Sequence, residues 1–127
     1  MEKQLEQVKE FHEKFLQDMN TTPELLSIEE SRLRFKLMDE ENVEYLDAAK
    51  DEDIVEILDA CADQLYILCG TILKHGLQDM IIPAFDLVHA NNMAKLGPDG
   101  KPIFREDGKI IKPENFQKVE LKTLFEK

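Results

Sequence analysis

The strongest constraint on the fold is an apolar segment that three carboxylates interrupt. Apart from these acids, the segment is expected to form a buried helix. Between positions 54 and 73, 14 of 20 residues are apolar, and the acids among them are Glu56, Asp59 and Asp63. Their spacing of i, i+3 and i+7 stacks the three acids along one face of a helix. Burying an ionised carboxylate without compensation is costly, so this face must meet water, a cation or a partner. The segment therefore predicts a helix of a metal-binding protein rather than of a plain helical bundle.

The helix predicted before this segment carries a second acidic stripe. An apolar stripe that begins at Leu33 continues into Glu41 and Glu44, and Glu40 borders it. At about 100° per residue, the stripe occupies roughly a quarter of the helix circumference. Only the short turn at residues 50–53 joins the two helices, so we expect them to be antiparallel. This arrangement would bring the acids of both helices together.

Four or five converging carboxylates with no Lys or Arg among them would repel one another. Divalent cations with oxygen ligands relieve such repulsion, and Mg²⁺ suits a site that also holds phosphate, with Mn²⁺ as a substitute. The alternative is a solvated acidic surface. The sequence has neither a Glu-x-x-His motif for di-iron nor a Cys/His zinc spacing. The predicted metal ligands are Glu41, Glu44, Glu56, Asp59 and Asp63.

Length and composition favour one soluble globular domain. A chain of 127 residues fits one domain, and we expect a helical core at about 1–96 with a hairpin and tail at 97–127. The net charge of −11 argues against binding to nucleic acid or an anionic membrane. A bound divalent ion would still let the chain hold a phosphorylated ligand. The polar N-terminus and two thiols expected to be buried and reduced, Cys61 and Cys69, favour the cytoplasm.

Periodicity and capping signals predict an all-α fold, a bundle of four to five helices with a C-terminal extension like a β-hairpin. The pair Asp107-Gly108 lies between two apolar pairs, which is a hairpin signal. The residues from Glu114 to Lys127 are expected to add a short helix. The main helices are expected at about 2–18, 27–49, 53–75 and 83–96.

At its acidic residues the chain resembles the all-α nucleoside triphosphate pyrophosphatases, which include MazG-like proteins, dimeric dUTPases and phosphoribosyl-ATP pyrophosphatase. Their signature is Glu-x-x-Glu on one helix and Glu-x-x-Asp on the next, and residues 40–44 match the first part. Glu56 and Asp59 match the letters of the second part. Asp63, however, lies in the sequence context that usually holds the family's Asp, which places Ala60 at the position of its Glu. Glu56 with Asp59, or Asp59 with Asp63, would complete the metal site.

Two further segments are similar to the same superfamily. Residues 88–95 look like its later helix, where an Asn and a Lys approach the phosphates, here Asn92 and Lys95. Residues 99–109 resemble a bacterial and phage subgroup described as phosphoribosyl-ATP pyrophosphohydrolase-like. The resemblance covers roughly residues 5–116 and implies a MazG-like bundle that forms a homodimer or homotetramer.

The implied activity is hydrolysis of a nucleoside triphosphate between its α- and β-phosphates, which yields a nucleoside monophosphate and pyrophosphate. Glu40 or Glu41 would act as the base for the attacking water. Asn92 and Lys95 would contact phosphate, and Lys109 in the basic hairpin region would be a further substrate contact.

Two other functions fit the same residues. Because Ala60 replaces the family's Glu, the chain could be a regulatory module that binds nucleotide or metal with weak catalysis. In a purely structural alternative, the acids are a surface feature of a helical oligomer. No residue in the sequence specifies a base.

Overall fold

Helices dominate the structure, a computed structural model that describes residues 1–114 and 116–126. A two-stranded antiparallel hairpin and a short 3₁₀ helix at Leu121–Phe125 follow the helices, which confirms the all-α fold with a hairpin extension. The elements are α1 (Glu2–Lys14), α2 (Ile28–Lys50), α3 (Ile54–Lys74), α4 (Ile81–Met93), β1 (Ile103–Phe104) and β2 (Ile110–Ile111).

The chain divides into two units. The first unit comprises residues 1–79 with α1 to α3, and the second comprises residues 80–127 with α4 and the hairpin. The single-domain organisation stays a prediction. Among the described residues, no helix is long and apolar enough to cross a membrane.

Local hydrogen bonds fix both ends of the turn between α2 and α3. The Asp53 carboxylate accepts from the backbone N–H groups of Val55 and Glu56, both at 3.1 Å, and so caps the start of α3. Midway along the pair, the Gln64 amide donates to Asn42 Oδ1 at 3.2 Å. The short turn and this contact make α2 and α3 an antiparallel pair, as expected.

The apolar core of the first unit lies mainly where α1 packs on the C-terminal half of α3. In this half, Cys69, Ile72 and Leu73 are at most 5% exposed. The expectation that the whole apolar face of α3 is buried is wrong for its N-terminal half, where Ile54 is 74% exposed and Leu58 70% exposed. Cys61 is exposed as well, because α1 covers only the later turns. The buried apolar residues are Leu5, Val8, Ala48, Ala60, Cys69, Ile72 and Leu73.

Two polar side chains are also buried in the first unit. Arg34 on α2 donates from Nε to Thr71 Oγ1 at 3.0 Å and from Nη2 to the Ile67 carbonyl at 2.8 Å. His12 on α1 lies beside it and is 5% exposed. Gly70 makes room for both side chains, because a Cβ atom there would lie 2.7 Å from Arg34 Nη2 and 3.1 Å from His12 Nε2.

In the second unit, two successive Asp-Gly turns bracket β1. Asp99 Oδ1 accepts from the Lys101 N–H, and Asp107 Oδ1 accepts from the Lys109 N–H. The second turn joins the two strands in the predicted hairpin. Asn91 Oδ1 accepts from the Val119 N–H at 3.0 Å, which attaches the C-terminal segment to α4. The predicted terminal helix is realised only as the 3₁₀ helix, and residues 115 and 127 lie outside the described residues.

Candidate metal centre

Three of the predicted acidic residues come together between α2 and α3. Glu41 and Glu44 are one turn apart on α2, and Asp63 faces them from α3. One carboxylate oxygen from each of the three lies within 4.8 Å of the other two. We call these three residues the acid cluster.

The acid cluster holds negative charge that has no basic partner. Burial raises the pKa of Glu41 to about 7, helped by a hydrogen bond with Glu44 and by the charges of Glu44, Asp63 and Asp59. The pKa of Asp63 is also raised, mainly by burial and by the charges of Asp59 and Glu44. Within the described residues, the ion pairs are Lys14 with Glu10 and Arg105 with Asp107, and neither involves the cluster.

The acid cluster fits a divalent cation. Its donors are carboxylate oxygens, which hard cations such as Mg²⁺ prefer. Glu41 Oε2 is buried without a hydrogen-bond partner, which is costly for a carboxylate oxygen unless something else satisfies it. A cation at this position would satisfy that oxygen and remove the repulsion among the three groups.

Asp59 and Glu56 lie along the same side of α3 but outside the acid cluster. Asp59 is near enough for its charge to raise the pKa of both Glu41 and Asp63. Glu56 and Asp59 line an open cavity of about 310 Å³ that also includes Glu44, which we call the acidic cavity. Of the residues named in the two alternatives for completing the site, only Asp63 joins Glu41 and Glu44, and which pair binds the metal stays a prediction.

Two acids in this cavity were not predicted from the sequence. Asp47 and Asp51 line it together with Glu44, and buried Ala60 lies at the same cavity. The signal that could have found them is their spacing of i+3 and i+7 from Glu44, the same spacing that links Glu56, Asp59 and Asp63.

Glu40 does not join the acid cluster. It is exposed on α2, about 100° around the helix from Glu41 and one turn before Glu44. Its role as a base stays a prediction.

The predicted phosphate contacts all belong to the second unit. Asn92 and Lys109 are exposed, and Lys95 is half-buried just after α4. Asn91, the neighbour of Asn92, has a structural role through its bond to Val119. The substrate-binding roles of Asn92, Lys95 and Lys109 stay predictions.

One comparison with known proteins connects this geometry to a family. A family model described as phosphoribosyl-ATP pyrophosphohydrolase matches residues 8–92, about two thirds of the chain. The matched segment contains all of α2 and α3, and with them the acid cluster and the acidic cavity. It also includes Asn92, whereas Lys95 and Lys109 lie beyond it. No curated protein matches the chain.

Proposed function

Because the chain belongs to the phosphoribosyl-ATP pyrophosphohydrolase family, whose members are divalent-metal-dependent hydrolases of phosphoric anhydrides, we propose that it is a Mg²⁺-dependent nucleoside triphosphate pyrophosphohydrolase. It cleaves the bond between the α- and β-phosphates and yields a nucleoside monophosphate and pyrophosphate. The observation that carries the proposal is the acid cluster, three convergent carboxylates without a basic partner and with one unsatisfied buried oxygen.

In this proposal the acid cluster holds the cation, and Asp59 adds charge beside it. Mg²⁺ would supply positive charge that neutralises the triphosphate and the departing pyrophosphate. The substrate's phosphates would lie in the acidic cavity, beside the cation. The bound cation would offset the repulsion between the phosphates and the carboxylates that line the cavity.

The attacking water needs a base. Glu40 is exposed and outside the acid cluster, which leaves its carboxylate free to accept the water proton. Glu41 is the alternative base, because its carboxylate belongs to the acid cluster and would lie beside the cation. As the water oxygen bonds to phosphorus, the bond to the bridging oxygen breaks and that oxygen leaves on pyrophosphate. Lys95 would contact phosphate as a point charge and Asn92 by hydrogen bonding.

We further propose that the chain acts as a homo-oligomer, with a dimer as the smallest form. The N-terminal half of α3 presents apolar side chains to solvent at positions 54 and 58, each at least 70% exposed. A contiguous apolar surface of this kind is typical of an interface between proteins.

Pyrophosphate release from a panel of canonical, deoxy and oxidised nucleoside triphosphates tests the proposed activity. Activity should require Mg²⁺ or Mn²⁺, disappear with EDTA, and be lost in Glu44→Gln and Asp63→Asn. Asp39→Asn is the matched control, because Asp39 is an exposed acid on α2 outside the acid cluster. An absence of turnover across the panel with either cation would overturn the proposal.

A regulatory binding module is the second candidate. It is favoured by Ala60, which is 2% exposed. In the register that aligns Asp63 with the family's Asp, Ala60 takes the position of the family's Glu, and the site would be one carboxylate short. Calorimetry that shows saturable nucleotide binding with Mg²⁺, together with no product, would select this candidate.

A further inference from the structure

Three aromatic rings form a cluster on the surface where α1 meets α3. The rings of Phe11 and Phe15 are stacked with centroids 4.4 Å apart, and Tyr66 meets Phe11 edge-on at 5.7 Å. All three remain accessible, with exposed fractions of 39% for Phe11, 63% for Phe15 and 41% for Tyr66. We call these residues the aromatic platform.

The aromatic platform begins one helical turn from the acid cluster. Tyr66 lies three residues after Asp63 and seven after Asp59, so the three side chains share one face of α3. Neighbours three apart on a helix have Cβ atoms about 5–6 Å from each other. The rings of Phe11 and Phe15 extend the aromatic surface from Tyr66.

Packing alone explains only part of the aromatic platform. The edge-on contact between Phe11 and Tyr66 helps to hold α1 against α3. Phe15, in contrast, comes directly after the last residue of α1 and has Phe11 as its stacking partner. With most of its surface in water, Phe15 adds little to the core, and one face of its ring is available to a ligand.

We propose that the aromatic platform stacks against the base of the nucleotide whose phosphates lie at the acid cluster and the adjoining acidic cavity. This inference rests on the proposed function and adds the part of the substrate that the acidic residues do not recognise. Every base has a π-face, so stacking on aromatic side chains tolerates many bases. The chain should therefore discriminate weakly among bases, with similar KM values for purine and pyrimidine triphosphates.

Fluorescence gives a direct test of stacking, because the chain contains no tryptophan. Phe15→Trp introduces a single indole into the aromatic platform. With Mg²⁺ and an α,β-methylene nucleoside triphosphate, which cannot be cleaved at the α–β bond, this indole should be quenched saturably. Inorganic triphosphate, which has the phosphates but no base, should not quench it.

Phe35→Trp is the matched control. Phe35 is 66% exposed on α2 and lines a separate groove with Asn42 and Gln64, so an indole there should not respond to nucleotide. Equal quenching at both positions, or quenching of the position-15 indole by inorganic triphosphate, would overturn the inference.

Kinetics provide the second test. Loss of base stacking typically weakens binding about 5- to 150-fold, so Phe15→Ala should raise KM by that factor. Its kcat should be unchanged, because stacking is the same in the ground state and the transition state. Phe15→Tyr should restore KM. Equal thermal unfolding temperatures for the wild type and Phe15→Ala would exclude a folding defect. If Phe15→Ala does not fold, the fluorescence of Phe15→Trp alone tests the inference.

The two proposals fail separately. Turnover by the wild type with an unchanged KM in Phe15→Ala and no quenching in Phe15→Trp would overturn the aromatic platform alone. Quenching by the nucleotide analogue without turnover of any triphosphate would overturn the hydrolase and retain the base-binding surface.

Discussion

At the scale of single residues, Glu41 combines a buried oxygen that has no hydrogen-bond partner with a pKa that burial raises to about 7. Its position on an otherwise apolar stripe is a local property of α2, and helical periodicity is enough to reveal it. The choice between Glu56 and Asp63 as a cluster member depended on how α3 is rotated against α2, which no local pattern reports. The contact between Phe11 and Tyr66 was hidden for the same reason, since it joins residues distant in sequence.

Replacing Glu41 should stabilise the metal-free protein. The pKa of Glu41 is about 7 in the folded state and about 4.5 in the unfolded state. The folded state therefore loses stability relative to the unfolded state as pH rises through this range. Without divalent cations at pH 8, Glu41→Gln should raise the free energy of unfolding by about 1 kcal/mol, after allowance for solvent screening. Urea unfolding in EDTA measures this.

Adding Mg²⁺ should reverse the order of stabilities, because only the wild type gains from the cation. Glu40→Gln, at an exposed position outside the acid cluster, should behave like the wild type in both conditions. A lower stability of Glu41→Gln in EDTA would contradict the account of repulsion in the cluster.

His12 should make the fold sensitive to acid. Its pKa is lowered by burial and by the positive charges of Arg34 and Lys74, and Nδ1 has no hydrogen-bond partner. The unfolded chain therefore binds a proton that the folded chain does not, so stability is full above about pH 6.5 and falls as pH decreases below it. His12→Gln should reduce this loss, as measured by urea unfolding at a series of pH values. The exposed His89 provides the control His89→Gln, and an equal effect of both would count against the role of His12.

At the scale of elements, capping signals located α2 and α3 well because the caps act within one turn. Ser27 accepts from the Glu30 N–H at the start of α2, and Asp53 does the same for α3. The end of α1 was placed too late, since the helix ends at Lys14 and Leu16 adopts a φ of 55°. Apolar residues continue beyond this point, and periodicity cannot distinguish a helix from a turn that carries the same side chains.

Gly76 should be the glycine least tolerant of substitution. It ends α3 with a φ of 67°, and an added Cβ would overlap the backbone carbonyl of Thr22. Gly76→Ala should lower the free energy of unfolding by more than about 2 kcal/mol, because the strain of a positive φ adds to the cost of the overlap. Gly100→Ala isolates the strain, since its φ is 76° but no atom lies within 4 Å of the added Cβ. Thermal unfolding should show a far smaller loss for Gly100→Ala, and equal losses would show that the overlap is relieved cheaply.

At the scale of the whole molecule, few large apolar side chains are buried among residues 1–114 and 116–126. Periodicity predicted which faces of α3 are apolar, but it does not say what covers them. The α1 helix covers the later turns, whereas Ile54 and Leu58 are left in solvent. Association of copies through this surface would remove that apolar area from water.

Disrupting the apolar surface of α3 should dissociate the proposed oligomer. Leu58→Lys places a charge in the middle of this surface, and burial of an unpaired charge opposes association. Light scattering across a range of concentrations should show dimers or larger forms for the wild type and monomers for the variant. Leu25→Lys is the control, because Leu25 is 94% exposed outside the helices. A wild type that stays monomeric at every concentration would contradict the proposal.

Because the two thiols differ in burial, their labelling can measure folding and association in the unmodified protein. Cys61 is exposed on α3 three residues after Leu58, whereas Cys69 is completely buried and its pKa is raised by burial. A maleimide reagent should therefore add once per folded chain, at Cys61, and intact mass would reveal the single adduct. Slower labelling of Cys61 in concentrated solution would indicate that association covers this part of α3, and the measurement needs no substitution.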